Sequence, residues 1–107
     1  IGEDQEIFVP QLFWYEIANI FINLIRRRRF TNKEVNGFFP NFTALRLITD
    51  SETGLDYSKK LLRFYSDYNL SSYDAAYLEL AERKKSVLCT LDHNLKIAAK
   101  KHGVKVL

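Results

Sequence analysis

Cysteine is almost missing from this sequence: Cys89 is the only one in 107 residues. An intrachain disulfide is thereby excluded, and so is a metal centre built on several thiolates. Cys89 stands inside the apolar run Val87-Leu88-Cys89-Thr90-Leu91, where a thiol is expected to act as a small buried hydrophobe in a reducing compartment. Long hydrophobic runs are missing too. The most apolar stretch, LFWYEIANIFINLI, is broken by Glu16, Asn19 and Asn23 and is too short to span a bilayer. No secretory signal pattern precedes it, and the chain shows no repeat or low-complexity segment. These absences predict a cytoplasmic protein with no membrane partner. Neither sign of charge dominates, the net charge being +3, although Arg26, Arg27, Arg28 and Arg29 follow one another directly. Such a run suits a solvated helix end and equally the backbone of an RNA.

What is present is the composition of a globular protein. With 47% hydrophobic and 14% aromatic residues the chain can bury a core, and its length fits one domain over residues 1–107. The periodicity alternates between strand and helix. Short apolar runs predict strands at Ile7–Val9, Arg46–Thr49, Ser86–Leu91 and Val104–Leu107. Between the first two, Leu12, Phe13, Ile17, Ile20, Phe21, Leu24 and Ile25 recur at helical spacing from Gln11 to about Arg29. Thr31 and Glu34 form a capping-box pattern for a further helix carrying Val35, Phe38, Phe39 and Phe42, interrupted by Gly37 and Pro40. The turn DSETG leads into a helix through about Asp67, Ser71 or Ser72 opens another to Lys85, and a last helix over Leu95–His102 ends at Gly103. Strands separated by helices predict parallel βα units and an α/β sandwich.

Three acids occupy positions with chemical meaning. Asp92 ends the run SVLCTL, at the carboxyl edge where open α/β sheets bind ligands; it is equally well placed to cap the last helix. Glu16 belongs to a helix that reads as apolar nearly all round, with Glu16, Asn19, Asn23, Arg26 and Arg27 on one polar stripe. A carboxylate there is expected to be desolvated, calling for a metal or a partner's cation, unless the stripe faces water. Asp74 shares its arc with Tyr77, Leu78 and Ala81, whereas Glu79, Glu82 and Arg83 form the expected solvent face. Asp74 is also the third-position residue of a cap at Ser71.

Taken in order, three segments carry a pattern: Pro10, Glu16 and Ala18-Asn19; Ser71, Asp74, Ala75, Tyr77 and Leu80-Ala81; Thr90, Asp92, Leu95 and Ala98. Together they resemble the PIN domain family, in particular its VapC-like toxins, over residues 7–107. The resemblance implies a three-layer sandwich around a parallel central sheet and a metal-dependent endoribonuclease, the toxin of a toxin-antitoxin pair, cutting RNA phosphodiester bonds. It implies Mg²⁺ or Mn²⁺ held by Asp74 and Asp92, with Glu16 as a third metal-binding or water-orienting acid. An all-oxygen donor set suits such hard cations. Thr90 would support a carboxylate, Asn19 and Asn94 would contact substrate or support the site, and His93 would be a capping or surface residue. RNA and an antitoxin protein are the implied partners, the latter reaching the acids with an arginine.

The pattern also departs from the family. A PIN domain opens with a strand ending in a metal-binding Asp, followed by a helix, and this chain has no counterpart; Asp4 precedes its strand and is no substitute. The expectation is an N-terminally incomplete PIN-like domain, completed by a segment of a longer parent or by a second chain, as in a homodimer, with activity belonging to the intact parent. The alternative is a non-catalytic binding or oligomerisation module on the same scaffold.

Overall fold

The computed structural model describes residues 5–107, so Asp4 lies outside the described residues. The fold is mixed α/β and mostly helical. The element order is β1 (Glu6–Val9), α1 (Leu12–Arg26), α2 (Asn32–Asn36), α3 (Pro40–Thr43), β2 (Arg46–Thr49), α4 (Leu55–Tyr68), α5 (Ser72–Arg83) and α6 (His93–Lys101). No helix among the described residues is long and apolar enough to cross a membrane. The chain divides into two compact units, one running to Thr49 and the other from Asp50 to Leu107.

In the first unit β1 and β2 pair in parallel, with Ile7 opposite Leu47 and Phe8 opposite Ile48. A parallel pair requires a long crossover, and α1, α2 and α3 supply it. Six of the seven expected apolar positions of α1 are half-buried, Ile20 being exposed. Aromatic packing holds the unit together. The Phe21 ring lies 5.2 Å from Phe39, 6.1 Å from Phe38 and 6.2 Å from Phe42, and Phe30 meets Phe38 edge-on at 5.3 Å. Trp14 donates its indole N–H to the Thr49 hydroxyl at 2.8 Å, tying α1 to β2. The predicted capping box is present: Thr31 accepts from the Glu34 amide and Glu34 accepts from the Thr31 amide. The helix it opens stops at Asn36, and Pro40 starts a separate short one. Pro40 lacks an amide hydrogen and cannot continue a ladder, but its fixed φ suits a first turn.

The second unit has the larger core. Phe64, Leu70, Ala75, Leu78, Ala81, Leu88, Leu95, Ala98, Ala99 and Val104 form one buried cluster. Gly54, at φ +95°, caps the start of α4, and Gly103, at φ +83°, follows the end of α6. Both take a left-handed conformation that a side chain would strain. Two expected strands are much shorter than predicted. Residues 86–91 and 104–107 are joined by a single parallel bridge, Leu88 to Val106, with Leu88 donating to Lys105 at 2.8 Å and accepting from Leu107 at 2.9 Å. Leu91 is almost wholly exposed and Cys89 is exposed. The buried thiol expected from the apolar run is therefore not found, because only Leu88 of that run enters the core.

Candidate functional site

The Thr90–Leu95 segment is built by its own short hydrogen bonds. The Thr90 hydroxyl accepts from the Asp92 amide at 3.1 Å, and Asp92 Oδ1 accepts from the Leu95 amide at 2.8 Å. Asp92 is thus the N-cap of α6, in extended conformation, with an exposed residue surface. The cap satisfies one amide that has no intrahelical partner. Asn and Asp cap comparably whereas Ala does not. Accordingly, Asp92→Ala is expected to destabilise the second unit by about 1 kcal/mol and Asp92→Asn by no more than a few tenths, both read from urea midpoints.

Asp74 lies in the first turn of α5, half-buried, and its amide donates to the Ser71 hydroxyl at 3.2 Å. The capping alternative for Asp92 therefore exists as local structure, and at α5 the Ser71 cap engages the Asp74 backbone amide. Asn94 is exposed in the first turn of α6 and lines an open cleft of about 540 Å³ shared with Tyr65, Tyr68, Ile97 and Lys101. Neither Asp74 nor Asp92 lines that cleft. His93 is the exposed first residue of α6, in agreement with its expected surface role.

Glu16 and Asn19 belong to the first unit, both exposed on α1, a helix none of whose residues is fully buried. The expected desolvation of Glu16 is therefore not found: the polar stripe faces water. Among the described residues no three His, Cys, Asp or Glu side chains are gathered so as to hold a metal ion. The donor chemistry of Glu16, Asp74 and Asp92 suits Mg²⁺ or Mn²⁺.

The strongest electrostatic arrangement lies elsewhere in the second unit. Arg83 grips Asp50 through two hydrogen bonds of 2.9 and 2.6 Å and Glu79 through two of 2.9 Å. Asp50 and Glu79 are both buried, so the expected solvent face of α5 is corrected at Glu79. The Arg83 hydrogen bonds hold the Asp50 carboxyl below the usual range and outweigh the opposing effect of burial. Glu79 first and Asp50 second raise the Arg83 value further above its already high ordinary one. Nearby, burial foremost, and then the Glu79 and Asp50 charges, push the Tyr57 phenol up. A second polar cluster joins the three helices: the Tyr68 hydroxyl and His102 Nδ1 are 2.7 Å apart, and His102 Nε2 lies against the Glu82 carboxylate.

Sequence spacing offered one signal for the ion cluster, the i,i+4 pair Glu79 and Arg83. Asp50, 33 residues before Arg83, gives no local signal. No protein-family model matches the chain, and no curated protein matches it either.

Proposed function

We propose that the chain is part of a metal-dependent endoribonuclease of the toxin type, acting on RNA phosphodiester bonds, with a PIN-like three-layer sandwich around a parallel sheet. The observation that carries this reading is the Thr90–Asp92 segment. Its threonine hydroxyl supports the aspartate backbone, and the aspartate, four residues after the bridged Leu88, caps a helix. That is the local setting in which open α/β folds present ligand-binding residues. In this proposal Asp74 and Asp92 bind Mg²⁺ or Mn²⁺ with Glu16 as the third acid, and Asn19 and Asn94 contact RNA. A hard divalent ion would supply an activated water and offset phosphate charge.

The local roles of the acids favour a second reading. Asp92 is a helix cap, and the Asp74 amide is bound by the Ser71 cap, as a non-catalytic binding or oligomerisation module would need. Incubating the full-length protein with a mixed RNA pool in Mg²⁺, Mn²⁺ or EDTA separates them. The ribonuclease reading expects internal cleavage in either metal and none in EDTA; intact RNA in all three favours the module. Binding of an antitoxin peptide that competes with Mn²⁺ would extend the first reading to its expected partner.

A further inference from the structure

Arg26, Arg27, Arg28 and Arg29 are all exposed, and among the described residues no carboxylate pairs with them. A helix C-terminus favours a cation in its last turn, and Arg26 alone meets that need. The other three arginines lie past the end of the helix. Arg28 has φ +55°, the left-handed conformation usually left to glycine after a helix, and Arg29 closes the turn onto the Leu24 carbonyl at 3.0 Å. The helix thus ends in a turn that places four exposed arginines in succession at its carboxyl end. Leading to this turn, Asn23, Asn19 and Glu16 are exposed on one face of α1, with Tyr15 beside them and 75% exposed. Tyr15 and Arg26 are separated by roughly 16 Å along the helix axis at 1.5 Å per residue.

We propose that this face of α1, from Tyr15 past Asn19 and Asn23 to the arginine turn, is a track for single-stranded RNA. The guanidiniums take successive phosphates in bidentate fashion, the amides offer both donors and acceptors, and Tyr15 gives a base a ring to stack on. The inference deepens the proposed ribonuclease reading by naming where its substrate lies. An anionic membrane surface is the competing partner for exposed arginines. A helix lying on lipid carries its cations along the polar face, however, and here that face holds Glu16 and two asparagines while the cations are confined to one end.

The test is equilibrium binding of a fluorescent single-stranded RNA in EDTA, where cleavage does not interfere, across 50–300 mM salt. Replacing all four arginines by glutamine, which keeps helix propensity, is expected to weaken binding at least roughly tenfold and to flatten the slope of log K against log salt by about 3, from ~0.7 per phosphate on a single strand. The all-lysine variant should retain most of the slope. Tyr15→Ala should weaken binding without altering it. Circular dichroism checks that each variant is folded. Unchanged affinity and slope in the glutamine variant would overturn the track, as would wild-type binding to phosphatidylserine vesicles in preference to RNA. Arginine-dependent binding without any cleavage in Mg²⁺ would leave the track standing and remove the nuclease.

Discussion

On the proposed ribonuclease reading, Asp92→Asn is expected to abolish nearly all RNA cleavage by the protein, a loss of at least about 100-fold, while RNA binding stays within a factor of two. Groups that merely support a metal's ligands already cost 10–100-fold on mutation, and a carboxylate that binds the ion directly is worth more. The choice of asparagine matters because the proposal gives Asp92 a second role beside its observed cap. Its Oδ1 caps α6 through the Leu95 amide, and asparagine fills that role nearly as well. Folding is thereby preserved while the negative charge is removed. Asp74→Asn should behave alike, since the amide that donates to the Ser71 hydroxyl is kept. Cleavage undiminished in both variants would reduce the two acids to the local roles that their hydrogen bonds already describe.

The second large effect concerns stability. Arg83→Met should destabilise the second unit by about 3–5 kcal/mol, because it strands two buried carboxylates without their counter-charge. Asp50 and Glu79 keep only 5% and 7% of their side-chain surface, so water cannot replace the four hydrogen bonds that Arg83 provides. For a unit of this size the loss is a large share of total stability. Glu82→Ala, at an exposed position of the same helix, should shift the urea midpoint far less. Acid adds a further signature. Arg83 holds the Asp50 carboxyl below its ordinary value, so the folded chain binds that proton less readily than the unfolded chain. The associated stability is complete above the ordinary aspartate value of about 3.9 and is lost as pH falls through the lower folded value. In Arg83→Met that acid-sensitive contribution should shrink, because the Glu52 backbone hydrogen bond and the Lys84 charge are then left to oppose burial.

The elements that could be read from sequence are those whose cause is local. Thr31 and Glu34 sit three residues apart and make the box that their spacing predicts. Ile7–Val9 and Arg46–Thr49 lie within strands that pair in parallel. Gly103 ends the last helix in the left-handed conformation its position suggests. The failures share a different cause. SVLCTL has the composition of a buried strand, yet a strand needs neighbours along its length, and only Leu88 has a bridging partner. Glu79 looked exposed because helical periodicity assigns a residue to a face without saying what the face meets; Asp50 and Arg83 decide it from afar. Glu16 was expected to be desolvated on an all-round apolar helix, whereas α1 turns Ile20 and Ile22 as well as Glu16 outward. The candidate acids were identifiable by type and order. Type and order do not encode the tertiary contacts that bring side chains together.

The exposure of Cys89 has a practical consequence for every experiment above. As the only thiol in the sequence, and at the surface, it should react with a maleimide dye in the native state at full stoichiometry. A fluorophore attached there sits three residues before Asp92, and its emission would report divalent-ion or RNA binding to that segment without any engineered label. The same thiol sets a trap in oligomer measurements: air oxidation would link two chains covalently, and a dimer that disappears with reductant would be a product of storage and not of recognition.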